Sequence, residues 1–92
     1  MMKMMAVKGN RTTTNGYVLD GDPSSLDNGQ PITRHMDLAS CGRCGRNGPI
    51  FGTAKTFGIG NARGVLDGDI VMCACPQGTN RVIARSTTFY QE

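Results

Sequence analysis

Three stretches decide the fold: GYVLDGDPSS (residues 16–25), GPIFGTAKTF (48–57) and NRVIARSTTF (80–89). Laid under one another, they place Val18, Ile50 and Val82 at intervals of 32 residues, followed at each site by Leu19, Phe51 and Ile83. The same interval separates Asp37 from Asp69, Cys41 from Cys73, and Asn28-Gly29 from Gly60-Asn61. A fixed period of this length marks repeated supersecondary units. The first unit is shorter at its front: six residues lead from Asn10 to Gly16, against eleven from Asp37 to Gly48 and from Asp69 to Asn80. The second and third units therefore carry a five-residue insertion, and the cysteine pairs begin in those longer connections.

Each unit reads as β. Short runs such as GYVLD, TFGIG, DIVM and RVIA are bounded by Gly, Asn, Asp or Pro. No window of about 12 residues holds a helical period. Units of about 30 residues cannot each bury a face alone, so they must wrap around a shared axis. The expectation is one all-β domain over residues 1–92, a small three-sided cone of short strands with pseudo-threefold repeats over about 6–32, 33–64 and 65–92. Residues 1–5, with their four methionines, read as a disordered start, and Met5 as the true initiator.

Composition sharpens this. Thirteen of the 92 residues are glycine, and the aromatics are only Tyr17, Phe51, Phe57, Phe89 and Tyr90. A core with so little large apolar mass calls for a staple such as a disulfide, a metal or a partner chain. The net charge of +3 comes from scattered basic residues, not from the basic stripe with interleaved aromatics that a nucleic-acid surface presents. The opening MMKMMAVKGN lacks the apolar h-region of a secretory signal. No stretch approaches the ~18 apolar residues of a membrane span. The expected compartment is the reducing cytosol, where paired cysteines are more often metal ligands than disulfides.

The thiols fall in SCGRCGRNG (40–48) and VMCACPQG (71–78). Four residues after Asn10, Asp37 and Asp69 come Thr14, Cys41 and Cys73. Under threefold symmetry these three positions meet near the axis, with Cys44 and Cys75 just beyond. Cys41, Cys44, Cys73 and Cys75 could then close a tetrahedron of thiolates around one zinc, at Zn–S distances of about 2.3 Å. Thr14 is a poor zinc ligand, so the second cysteine of each pair completes the shell. Other readings stay open. Disulfides are one, although a C-x-C pair is poorly placed to bridge itself. A redox C-x-x-C would need a βαβ context. Mixed ligation would recruit His35, the only imidazole, six residues before Cys41 on what reads as a strand; a surface or packed role fits it better. Four thiolates leave no open position for water, and no acid–base constellation adjoins them. The metal reads as a structural clasp, no catalytic residue is assigned, and the chain is not expected to be an enzyme.

These segments resemble the PAAR-repeat (proline-alanine-alanine-arginine) family, the spike-tip proteins of type VI secretion systems. NGQPITRHMD (28–37) matches the end of one family repeat and the start of the next, and GNARGVLDGD (60–69) is a looser copy. VKGN (7–10) opens the first unit, while DLASCGRCG (37–45) and DIVMCAC (69–75) carry the ligand loops. The tetrapeptide itself stands as PITR (31–34) and NARG (61–64). The resemblance implies a short β cone with zinc near the sharp point. Its broad base would cap a trimeric valine–glycine-repeat spike protein (VgrG), sharpening it for membrane puncture and helping to attach effectors. It implies a tip that is itself monomeric. It also implies transient membrane contact and passage from the bacterial cytoplasm to the exterior or a target cell. With no toxin domain in the sequence, a bare tip is expected. Open sheet edges near TFGIG (56–60) and STTFYQE (86–92) are the candidate docking base. The competing class is a zinc-ribbon-like nucleic-acid-binding module, which would show a second C-x2-C in place of CAC and would leave the repeat unexplained. A small metalloenzyme is the third reading.

Overall fold

A computed structural model describes residues 2–59, 62–87 and 89–91. The described residues contain strands and turns and no helix. In chain order the strands are β1 (Met2–Met4), β2 (Arg11–Thr12), β3 (Asp22–Asp27), β4 (Gln30–Ile32), β5 (Leu38–Ser40), β6 (Asn47–Pro49), β7 (Ala54–Ile59), β8 (Ala62–Gly64), β9 (Val82–Ile83) and β10 (Phe89–Gln91). All pair antiparallel, as β1–β10, β2–β9, β3–β4, β5–β6 and β7–β8.

The repeat is visible bond by bond. Val18 N–H donates to Asn10 O (2.7 Å), Ile50 N–H to Asp37 O (2.9 Å) and Val82 N–H to Asp69 O (2.9 Å). Val18, Ile50 and Val82 are at most 1 % exposed and meet in one core cluster with Ala6, Ala39, Val65, Val71 and Ala84. Burying such a side chain stabilises the fold by about 1.5–3 kcal/mol, so the 32-residue apolar spacing is the main sequence determinant of the core.

Adjacent units are joined by equivalent bonds, and the third closes on the first. Ser40 N–H donates to Tyr17 O, Met72 N–H to Pro49 O and Thr13 N–H to Arg81 O, each at 2.8 Å. A second ring lies deeper. Ala6 N–H donates to Val65 O, Val65 N–H to Thr33 O and Thr33 N–H back to Ala6 O, at 2.8, 3.3 and 2.9 Å, and all three residues are fully buried. Neighbouring units are thus paired with one another through their backbones. The edges that remain are those of the outer two-stranded sheets β3–β4, β7–β8 and β1–β10.

The start of the chain differs from the expected disordered lead. Residues 2–4 form β1 against β10, and Met5 is fully buried. The reason is cyclic. In the first two units a hairpin returns through β4 or β8, whose Pro31 O and Arg63 O accept from Lys8 N–H (2.8 Å) and His35 N–H (2.7 Å). In the third unit β10 pairs with β1. Met4 O supplies the equivalent acceptor, to Asp67 N–H at 3.0 Å, so the leading residues complete the last repeat. Of the two candidate base stretches, the backbone of 56–59 lies in β7 and that of 89–91 in β10. Gly60, Thr88 and Glu92 lie outside the described residues, as does the repeat match at Gly60-Asn61, and so do the side chains of 55–59 and 89–91.

Each unit turns at the same place. Asn10 Oδ1, Asp37 Oδ2 and Asp69 Oδ2 accept from the N–H three residues back, on Val7, Arg34 and Leu66, at 3.0, 2.7 and 2.7 Å. The residue before each acceptor has positive φ: Gly9 at 93°, Met36 at 73° and Gly68 at 88°. Asp69 also accepts from Thr53 N–H (3.0 Å) and Thr53 Oγ1 (2.7 Å), and burial pushes its carboxyl pKa up. Asp69→Ala should destabilise the domain by about 2–4 kcal/mol, because it orphans several donors at a buried turn. Asp69→Asn should be near neutral, since Asn10 does the same work without a charge. A folded-state pKa above the ordinary 3.8 means that protonation favours the fold. Wild type should therefore lose ground to Asp69→Asn as pH rises from about 3.8 through the higher folded value. Urea midpoints for the pair across that range check the sign.

Candidate metal centre

Four thiols converge where the two longer connections meet. Cys41 leaves the end of β5. Its N–H donates to Arg46 O (3.0 Å), and its own carbonyl accepts from Gly45 N–H (2.9 Å), with Gly45 at φ 71°. The loop thus curls over, and the Cys44 amide lies 3.5 Å from Cys41 Sγ. Cys73 follows Val71 and Met72 out of the core, its N–H donating to Val71 O at 3.1 Å. Cys75 lies two residues on, next to Pro76. The four sulfurs are free thiols and lie within 4.8 Å of one another. Cys41 Sγ and Cys75 Sγ are 3.8 Å apart.

That spacing can be set against a metal. A tetrahedral site with metal–sulfur bonds of about 2.3 Å has sulfur–sulfur edges of about 3.8 Å. One edge is already of this length, and the others are no longer than 4.8 Å. The residues present fit a tetrahedral thiolate site for a soft or borderline dication.

The four thiols divide into two pairs electrostatically. The Thr14 hydroxyl, followed by the amides of Cys44 and Arg43, brings the Cys41 pKa down to about 6. The Arg46 amide lowers that of Cys44. Burial, then the neighbouring thiols, pushes Cys75 up to about 12, and burial also raises Cys73. Before a metal binds, these shifts favour the thiolate at Cys41 and the protonated thiol at Cys73 and Cys75. A dication must displace those protons, so binding should release about two or more at pH 7, and affinity should climb with pH. Below about 6, where Cys41 itself protonates, capture should weaken further. Calorimetry in buffers of differing ionisation enthalpy counts the protons; no release would contradict this assignment of charges.

The third axial position is the expected Thr14. Its hydroxyl lies 3.4 Å from Cys41 Sγ and 2.8 Å from Asn80 Oδ1, and it accepts from Gly42 N–H at 3.2 Å. Asn80 was not singled out from the sequence as a site residue. It is 1 % exposed, and its Nδ2 donates to Ser40 O at 3.2 Å. A signal was present, because the other two units have Gly16 and Gly48 where the third has Asn80.

His35 sits apart from the thiols. Its Nδ1 accepts from Gly52 N–H at 2.9 Å, its ring meets Phe51 edge-on at 5.1 Å, and Arg63 Nη2 is 3.1 Å from Nε2. Burial, then the Arg63 charge, holds its pKa down.

A family model described as PAAR motif matches residues 8–90. Neither a curated protein nor a solved structure matches the chain.

Proposed function

Because the chain belongs to the PAAR-motif family, we propose that it is a non-enzymatic spike tip that caps a trimeric VgrG protein, sharpens it for membrane puncture and helps to attach effectors. The observation that carries this reading is the cyclic closure of three unequal units through equivalent backbone bonds. A single chain with three near-equivalent faces can seat on a threefold partner, and the remaining outer edges of β3–β4, β7–β8 and β1–β10 offer backbone groups for pairing. Cys41, Cys44, Cys73 and Cys75 hold one structural zinc, which clamps the two long loops and, with four thiolates, leaves no site for a water nucleophile. The tip would travel from the bacterial cytoplasm on the spike and touch a membrane only in passing.

Co-expression with a trimeric VgrG spike protein of the same genome, then native mass measurement, tests the reading. One tip per three spike subunits, stable at high salt, is the expected result. A self-associated trimer of this chain would overturn it. So would tight, salt-sensitive DNA binding with no spike complex, since phosphate-driven affinity falls about 10³–10⁵-fold between 50 and 200 mM salt.

A further inference from the structure

The three units share a backbone but not a surface. Leu38 pairs with Pro49, and Met72 N–H donates to Pro49 O, so these three outward residues lie side by side on neighbouring strands. In the next row Met36 N–H donates to Ile50 O, and Phe51 N–H to Ile70 O, which sets Met36, Phe51 and Ile70 beside one another. Met36 is 52 % exposed, Leu38 and Met72 40 % and Phe51 38 %, while Ala39, Ile50 and Val71 point inward and are buried. The result is a continuous apolar flank on one side of the body.

The repeat supplies an internal control. The positions equivalent to Pro49, Met72 and Met36 on the flank between the third and first units are Arg81, Thr13 and Gly68, while that of Leu38 is Ile70 on this flank and Arg11 in the first unit. The same backbone accepts Arg, Thr and Gly at these places, so the fold does not demand apolar groups there. Met36 goes further: it holds φ 73° where the other units use glycine, and yet presents an exposed apolar side chain. Contiguous exposed apolar surface of this kind marks a protein interaction site.

The rim indicates the occupant. Arg63 lies over the Phe51 ring at 4.9 Å, and Arg81 bridges to Ile70. Neither guanidinium is in an ion pair among the described residues. At the far edge Asp20 is engaged by the Leu38 N–H at 3.3 Å. We infer that the flank built from Met36, Leu38, Pro49, Phe51, Ile70 and Met72 docks one copy of a protein partner, through an apolar segment that carries carboxylates facing Arg63 and Arg81. Because Arg81, Thr13 and Gly68 stand in its place between the third and first units, the patch is not threefold, and it serves a single partner, unlike a base that meets three equal subunits. The inference goes beyond the spike-tip reading and holds for the chain off the spike.

Selection of displayed random peptides on the metal-loaded chain tests it. Enriched peptides should combine a short apolar run with flanking Asp or Glu, and should shift the amide NMR signals of Leu38, Phe51 and Ile70. The variant Met36→Gly with Leu38→Arg installs residues that the first unit already uses. It should keep its fold, its metal and its spike complex and lose peptide affinity by roughly 30-fold. Binding that maps elsewhere, basic or purely polar peptides, or no enrichment would overturn the proposal. So would a concentration-dependent dimer abolished by the variant, which makes a second copy the occupant, or binding to anionic lipid vesicles in place of peptide. Loss of the spike complex in wild type with peptide binding intact would count against the spike-tip reading alone.

Discussion

Stripping the metal should abolish the cooperative unfolding transition of the chain. A structural zinc site is worth an apparent 10–16 kcal/mol at neutral pH, while a domain's whole stability is about 5–15 kcal/mol. Among the described residues the largest fully buried side chains are Met5, Ile50 and Leu66, with no large aromatic among them, so this part of the core has little to set against that loss. A bound metal would also hold the loops after Cys41 and Cys73 together through four sulfurs within 4.8 Å. Protein incubated with a strong chelator should lose near-ultraviolet circular dichroism and unfold without a midpoint. Cys41→Ser should behave almost the same way, since it removes both a sulfur and the partner of Thr14 and the Cys44 amide. His35→Ala should leave metal content unchanged and cost only about 1 kcal/mol of local packing around Phe51. A chelated protein that keeps a sharp transition at an unchanged midpoint would show that the thiol cluster is no clasp.

The fold was legible where a residue's role repeats. Val18, Ile50 and Val82 announce the core because each solves the same burial problem once per unit. The cysteine pairs announce a cluster because insertion loops at equivalent points must meet. What stayed hidden was whatever breaks the repeat. Residues 2–5 read as a loose start because, in one dimension, they precede the first unit; only ring closure makes them the return strand of the last, where Met4 O takes the bond from Asp67 N–H. Asn80 was hidden for the opposite reason. It stands where its counterparts are glycine, and its purpose appears only when Thr14 and Ser40 are brought to it by strands of other units. Met36 likewise looks like an ordinary apolar residue until its backbone sign is known.

Gly48→Ala should cost about 3 kcal/mol or more, a large effect for one methyl group. A Cβ at Gly48 would meet Met72 O at 2.2 Å, Met72 C at 2.7 Å and Cys73 Cα at 3.0 Å, all of them backbone. No rotamer change relieves such a clash, so strands of adjacent units must part. Overpacking a close-fitted site usually costs about 1–3 kcal/mol; here the displaced segment also carries a thiol, so separation at Met72 pulls Cys73 away from Cys41. The damage should therefore appear twice, as a lower unfolding midpoint in saturating zinc and as weaker zinc affinity at fixed pH. Gly16→Ala is the matched comparison. Its Cβ would meet Ser40 O at 1.9 Å, at the equivalent joint between the first two units, immediately before Cys41. Gly9→Ala meets no atom within 4 Å and should suffer only from φ 93°, a cost of about 1–2 kcal/mol. If the joint between units is what positions the thiols, Gly48→Ala and Gly16→Ala weaken metal binding while Gly9→Ala leaves it intact. Equal zinc affinity in all three would mean that the loops find the metal without help from the closed ring.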